Sequence, residues 1–270
     1  MQQFDFSKTG QEFQILNSRV IKTFSNPEIA LNRLKRARYL KGLTPSNVQN
    51  SHNRLSYNYV KGKTMYHALN PKLFRNFLQF CQDKLWKKVK LDKQKRKEFE
   101  NICLNFYYTK TQTRINEYGG NINYTKIDFN SLSQGIPSRF HGDLKFGNVI
   151  VTPENKFVLI DWRQDFGGLL KYGDLYYDLG KLYAGIILND DKAKKGNFGI
   201  KRKGSKVYLN YKGVGKQYEE IYLKFLKKNN YDIKKTKIIM ALSFLNMSPL
   251  HKEPFNHFVY HLGKKLLEDL

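Results

Sequence analysis

The stretch from Phe140 to Trp162 constrains this chain more than any other. It reads Phe-His-Gly-Asp-Leu-Lys-Phe-Gly-Asn-Val-Ile-Val, then Thr-Pro-Glu-Asn-Lys, then Phe-Val-Leu-Ile-Asp-Trp. Two short apolar runs rich in β-favouring residues flank a Pro-Glu-Asn turn, the pattern of a β-hairpin. Asp143 precedes the first run, Asn148 opens it, and Asp161 ends the second. A hairpin sets the start of one strand beside the end of the next. Asn148 and Asp161 are therefore expected to meet as hard oxygen donors suited to Mg²⁺, with Asp143 close enough to reach a substrate hydroxyl. A single Asp could simply cap a turn. His141, Asp143, Asn148 and Asp161 around one hairpin instead form the set that phosphoryl transfer requires. One carboxylate accepts a proton, oxygen ligands hold a metal against phosphates, and a lysine neutralises further charge.

His-Gly-Asp-Leu-Lys-Phe-Gly-Asn followed by Ile-Asp-Trp resembles the catalytic loop and metal-binding strand of the protein-kinase-like phosphotransferases. It is closest to the aminoglycoside phosphotransferase and choline kinase branch, which places Gly between His and Asp and has Asp-Trp where protein kinases have Asp-Phe-Gly. The resemblance implies an α+β, two-lobe fold with a small, reduced N-terminal β lobe (1–62) and a mostly helical C-terminal catalytic and substrate lobe (63–270). It implies Asp143 as catalytic base, Asn148 and Asp161 as Mg²⁺ ligands, His141 as a scaffold residue, and Lys145 near the transferred phosphate. Asp178, in Tyr-Gly-Asp-Leu-Tyr-Tyr-Asp-Leu-Gly-Lys-Leu, resembles an aspartate that braces the catalytic loop. Lys22, in Val-Ile-Lys-Thr-Phe, supplies the strand lysine that touches the nucleotide phosphates, and Tyr59-Val60 resembles the hinge that meets adenine. The implied cofactors are ATP or GTP with Mg²⁺. The segments Leu245–His251 and Asp161–Gly168 resemble kinase-like proteins linked to bacterial capsule or surface-polysaccharide synthesis.

In that family a helix glutamate pairs with the strand lysine. Here the only acid between Lys22 and Asp83 is Glu28, which also suits a helix N-terminus, so the partner of Lys22 stays open. No glycine-rich phosphate-covering loop is evident beyond Lys8-Thr9-Gly10. Elsewhere Glu12–Leu16 and Arg19–Phe24 read as strands about an Asn-Ser turn. Asn26-Pro27 opens a helix carrying Ile29, Leu31, Leu34, Ala37 and Leu40, which stops at Gly42; Arg33, Lys35, Arg36 and Arg38 are its basic polar face. A strand is expected over Arg54–Val60, and the break at Lys61-Gly62-Lys63 precedes a helical region over about 70–106. The dense positive run Trp86–Lys97 reads as a solvated helix face or connector. Lys192–Lys216, glycine-bearing and basic, reads as a hairpin insertion or a mobile loop, and the tail beyond Tyr218 as two or three helices.

Lys and Arg number 48 against 23 Asp and Glu, a formal net charge of +25. Such a chain is drawn to phosphates, nucleic acid or anionic lipid, although AT-rich coding bias produces the same excess of Lys, Asn, Ile, Tyr and Phe. Acids are scarce, which disfavours a cationic antibiotic as acceptor and favours an acidic or already phosphorylated one. Arg36, Arg38, Lys195 and Arg202 could rim such a cleft. Two cysteines, Cys81 and Cys103, make no disulfide framework, and with no leader preceding Phe4 the expected compartment is the cytoplasm. No run has the length of a membrane span. His251 and His257 do not read as a metal pair. The competing readings are a catalytically silent kinase-like binding module, a basic nucleic-acid-binding protein lacking any recognised signature, and a protein kinase, which the missing Ala-Pro-Glu segment disfavours.

Overall fold

The computed structural model describes residues 11–204 and 206–270. The stretch Lys8-Thr9-Gly10 lies outside the described residues. Along the chain run β1 (Glu12–Leu16), β2 (Arg19–Thr23), α1 (Pro27–Tyr39), β3 (Gln49–Ser51), β4 (Arg54–Asn58), β5 (Lys63–Thr64), α2 (Met65–Ala68) and α3 (Pro71–Phe80). Then come α4 (Lys93–Leu104), α5 (Lys110–Tyr118), α6 (Phe129–Ser133), β6 (Pro137–Ser138), β7 (Val149–Val151), β8 (Phe157–Leu159), β9 (Gly173–Asp174) and α7 (Leu175–Ile187). The chain closes with α8 (Asp190–Ala193), β10 (Phe198–Lys203), β11 (Lys206–Tyr211), α9 (Lys216–Lys228), α10 (Ile233–Leu245) and α11 (Phe255–Glu268). These elements form two compact units. One joins the described part of Thr9–Lys90 to Ile136–Asp178; the other joins Leu91–Gly135 to Leu179–Leu270.

The first unit holds an antiparallel sheet in the order β1-β2-β4-β3. Asn17 and Ser18 both take positive φ, as a tight two-residue hairpin with right-handed strand twist requires. On β2 the residues Val20 and Lys22 are buried while their neighbours are half exposed, so the lysine lies on the inward face. The Asn26 side chain accepts from the Glu28 N–H and Pro27 occupies the first turn of α1, which packs on β3 and β4. A smaller sheet, β5-β7-β8, contains the hairpin read from the sequence, with Val149 opposite Leu159 and Val151 opposite Phe157. Gly62 sits where a Cβ would stand 2.4 Å from the Val151 carbonyl oxygen, so only glycine fits between β4 and β5.

The helical stretch expected over 70–106 is interrupted. After α3 the chain makes one wider turn, Cys81–Leu85, then runs extended to Asp92 before α4 begins. Trp86 is the reason: it is buried, and its indole N–H is spent on Asp178. The extended piece also bonds to the segment leading into Phe140, Val89 N–H to Pro137 C=O and Arg139 N–H to Lys87 C=O. The positive run therefore splits, its first half a structural connector and its second half the exposed α4.

In the second unit α10 is buried nearly all round and packs on α11, with Gly180 and Gly263 permitting close approach to α10. Lys192–Lys216 contains the β10/β11 hairpin, and the tail forms three helices, α9 to α11. His257 bonds to the Tyr118 hydroxyl and Glu253, so it serves helix packing. Among the described residues no helix is long and apolar enough to cross a membrane.

Candidate active site

The loop from Phe140 to Asn148 is held by its own backbone conformation and by side chains that bond to it. Gly142 adopts φ +88°, and a Cβ there would lie 2.6 Å from Arg163 and 2.9 Å from Phe140, which explains the glycine between His141 and Asp143. His141 is buried and links its own loop to the residue after β8: its Nδ1 accepts from the Asp143 N–H at 3.2 Å and its Nε2 lies 2.8 Å from the Ile160 carbonyl. Those partners require the neutral ring with its proton on Nε2. Burial pushes the imidazole down to about 4, so it stays neutral at physiological pH. Its role is to fix the distance between the loop and β8.

Asn148 ends a short 3-10 turn, Phe146–Asn148, and its backbone carbonyl accepts from the Ile160 N–H at 2.9 Å. The hairpin thus brings the start of β7 beside the residue before Asp161. The Asn148 amide nitrogen donates to the Asp143 carbonyl (2.8 Å) and carboxylate (2.9 Å). With the nitrogen committed to Asp143, the amide's Oδ1 is the end that remains to act as a ligand. Lys145 is half-buried and its N–H donates to the Asp143 carbonyl at 2.9 Å, so it leads directly from the loop into that turn.

Asp161 adopts φ 59°, a left-handed conformation that Asp tolerates and that costs about 1 kcal/mol. Its Oδ1 is held by Lys22 Nζ, and Arg33 Nη1 stands 3.8 Å away. Burial would raise this carboxyl, but the Lys22 and Arg33 cations outweigh it and hold the group below the usual carboxylate range. Lys22 therefore has a partner, and it is Asp161. Glu28 instead takes the Asn32 side chain one turn along α1. An ionised carboxylate and an oriented amide oxygen are hard donors of the type Mg²⁺ takes, and this ion commonly uses one or two protein oxygens and lets substrate phosphates complete its shell. The donor set fits the metal.

Asp178, in the first turn of α7, accepts from the N–H groups of His141 (2.7 Å) and Gly142 (2.6 Å) and from the Trp86 indole (3.1 Å). Complete burial raises it to about 6 despite those three bonds. It clamps the loop from below. Tyr59 and Val60 follow β4; the Tyr59 N–H donates to the Ser18 carbonyl at 2.8 Å, so that amide already has an acceptor.

Three contributors escaped the sequence reading. Arg36 is not on a solvated face: it is 1% exposed, lies 3.8 Å from the Phe140 ring, and donates to the carbonyls of Phe140, His141, Arg163 and Leu170. Burial lowers its guanidinium to about 9. Arg36 therefore does not rim a cleft. Trp162, buried, donates its indole N–H to the Arg33 carbonyl at 2.8 Å. Arg33 itself faces Asp161. A signal existed, because Ala30, Arg33, Ala37 and Leu40 recur at helical spacing and Arg36 is adjacent to that face.

The sequence model of the phosphotransferase enzyme family matches residues 127–195. No curated protein matches the sequence significantly. Among solved structures, the choline kinase LicA from Streptococcus pneumoniae superposes with a TM-score of 0.55 at 14% identity, covering 99% of this chain and 92% of that one. An ethanolamine kinase from Plasmodium vivax superposes with a TM-score of 0.50 at 15% identity, covering 96% of this chain and 81% of that one. At such identities these likenesses establish the fold, which is the α+β protein-kinase-like fold; the capsule type has no support among them. The family match is confined to the segment that carries His141, Asp143, Asn148, Asp161 and Asp178, and over that segment the chain is similar to the phosphotransferase enzyme family.

Proposed function

We propose that the protein transfers the γ-phosphate of ATP or GTP to a hydroxyl of a small-molecule or sugar acceptor. The observation that carries this reading is the convergence of Asp143, Asn148, Asp161 and Lys22 in one compact unit, joined by the Asn148 bonds to Asp143 and the Lys22 pair with Asp161. Asp143 is the base that accepts the acceptor hydroxyl's proton, held in line by Asn148 and by the backbone bond to His141. Asn148 Oδ1 and Asp161 are the residues that would hold Mg²⁺, and the ion would supply charge neutralisation at the phosphates. Lys22 lies poised to exchange Asp161 for phosphate oxygens, and Lys145 contributes charge near the transferred group. The Tyr59 carbonyl and Val60 would meet the base. In this reading residues 1–62 serve the nucleotide and 63–270 the chemistry and the acceptor.

For the acceptor, the fold neighbours named as choline and ethanolamine kinases support a small alcohol, while the +25 charge supports an anionic one such as a sugar phosphate. A silent nucleotide-binding module is the second reading, favoured by the lack of a helix glutamate for Lys22. The deciding measurement is thermal shift with ATP and GTP, with and without Mg²⁺, on wild type and Asp161→Ala, followed by an acceptor screen. A nucleotide at 100 times its Kd stabilises by about 2.7 kcal/mol. A Mg²⁺-dependent shift lost in Asp161→Ala is the expected result. No shift at millimolar nucleotide overturns both readings, and binding without turnover on any acceptor leaves the silent module.

A further inference from the structure

Within the same unit, α1 presents an arginine, Arg33, to the position beside Lys22 and Asp161. Arg33 Nη1 is 3.8 Å from Asp161 Oδ1, close enough for charge attraction and too far for a hydrogen bond. Its Nε–H is buried and makes no hydrogen bond among the described residues. The guanidinium lies 4.8 Å from the Phe24 ring centroid, and its side chain is only 13% exposed. Lys22 and Arg33 are thus two buried cations beside the Asp161 carboxylate, with the Asp143 carboxylate also acting on Arg33, and Arg33 keeps an unspent Nε donor.

Arg33 is also rigidly placed. Its backbone carbonyl accepts from Trp162, next to Asp161, and one turn along α1 Arg36 is pinned to carbonyls on both sides of the catalytic segment. A buried cation is costly to hold unless an anion or an acceptor meets it, and a planar guanidinium is matched by two oxygens of one phosphate. We propose that Arg33 is a second phosphate-binding residue of the nucleotide site, its free donors taking oxygens of the polyphosphate alongside Lys22, on a helix fixed to the catalytic segment. This rests on the nucleotide reading above. In consequence, α1 supplies positive charge where an ion-paired helix would supply a carboxylate, and the site holds the polyphosphate between two cations.

The test is calorimetric titration of ATP, ADP and adenosine into wild type, Arg33→Met and Arg33→Lys, each with and without Mg²⁺. Arg33→Met should weaken ATP and ADP at least tenfold in both conditions and leave adenosine unchanged, and Arg33→Lys should recover part of the loss. If Arg33 merely offsets Asp161, its removal leaves Mg²⁺-free ATP unchanged and tightens MgATP, which overturns the proposal. A parallel loss for adenosine also overturns it, since that marks a general disturbance of the site. Should Arg33→Met fail to fold, Arg33→Lys decides alone: a loss of threefold or more for ATP with adenosine unchanged supports the assignment, and no loss refutes it. Wild type that binds neither ATP nor GTP at millimolar concentration refutes the functional reading itself, an outcome distinct from wild-type binding that Arg33 does not affect.

Discussion

Asp161 and Asp178 belong to the same compact unit and flank the same loop, yet different groups bond to them, although the Arg36 cation also acts on Asp178. Asp161 is met by cations, Lys22 and Arg33, and is held ionised. Asp178 is met by three N–H dipoles in complete burial, and its carboxyl is raised to about 6. The lysine ammonium sits at the end of a long side chain and is no part of the backbone, so under the proposed function Asp161 would exchange it for a metal ion without disturbing the fold. Backbone N–H groups cannot leave, so Asp178 can only hold shape. In the proposed reading the difference separates a carboxylate that takes part in the chemistry from one that supports the loop.

The sharpest way to break that comparison is to neutralise each acid to which the proposed function gives chemistry. Asp143→Asn should lower kcat by on the order of 10² to 10⁴ while nucleotide affinity stays within a few-fold, the range for loss of a general base. Asp161→Ala should lose turnover to a similar degree and lose Mg²⁺-dependent nucleotide binding as well. Steady-state kinetics beside calorimetry distinguishes the two. Full turnover by Asp143→Asn would remove the base assignment.

On the supporting side, Asp178→Ala strands three donors inside the protein. Each unsatisfied buried N–H costs about 1–3 kcal/mol, and relief of a buried charge offsets part of that, leaving a net loss of about 4 kcal/mol. Chemical denaturation should report it. A variant with wild-type stability and abolished turnover would mean Asp178 belongs with the working acids.

A pH series sharpens the contrast further, because His141 and Asp178 titrate in opposite senses. His141 falls from 6.5 to about 4 on folding, so the native state binds fewer protons than the unfolded chain in that window. Its contribution is present above pH 6.5 and is lost as pH falls towards 4, by roughly 3 kcal/mol. Asp178 rises from 3.8 to about 6, so the native state binds more protons, and its contribution is present below about 4 and lost as pH rises through 6. In wild type the two nearly cancel. His141→Gln removes one and should make stability grow by roughly 3 kcal/mol, relative to wild type, between pH 6.5 and 4. Parallel denaturation midpoints for the two proteins across that range would contradict the neutral, buried imidazole.

How much of this was legible follows from sequence distance. Asn148 reaches Asp143 across five residues, and His141 reaches Ile160 across nineteen, so one continuous stretch displays most of the loop's geometry. The hairpin register, the Asn17-Ser18 turn and the cap of α1 are similarly local. Arg36 reaches Phe140 across 104 residues and Trp86 reaches Asp178 across 92. Nothing local distinguishes a buried arginine that ties carbonyls together from one bathed in water, and a tryptophan amid lysines reads as surface. Lys22 lay between: its period-two alternation with Val20 and Phe24 marks the inward face, but the anion waiting there is 139 residues away.

The smallest effect concerns Lys145, which tests whether working charge extends beyond the Asp161 cluster. It lies two residues past Asp143, its N–H bonded to that residue's carbonyl, and it is half-buried. Under the proposed function this lysine stabilises the phosphoryl group only while charge is in transit, so its loss should appear in kcat more than in nucleotide affinity. Lys145→Met keeps the stem and removes the charge. The expected outcome is a fall in kcat of about tenfold, near 1.4 kcal/mol, with unchanged Kd for MgATP and an unchanged melting temperature. An equal loss in Kd would move Lys145 into the ground-state phosphate site with Lys22, and the working charge would then be one cluster centred on Asp161.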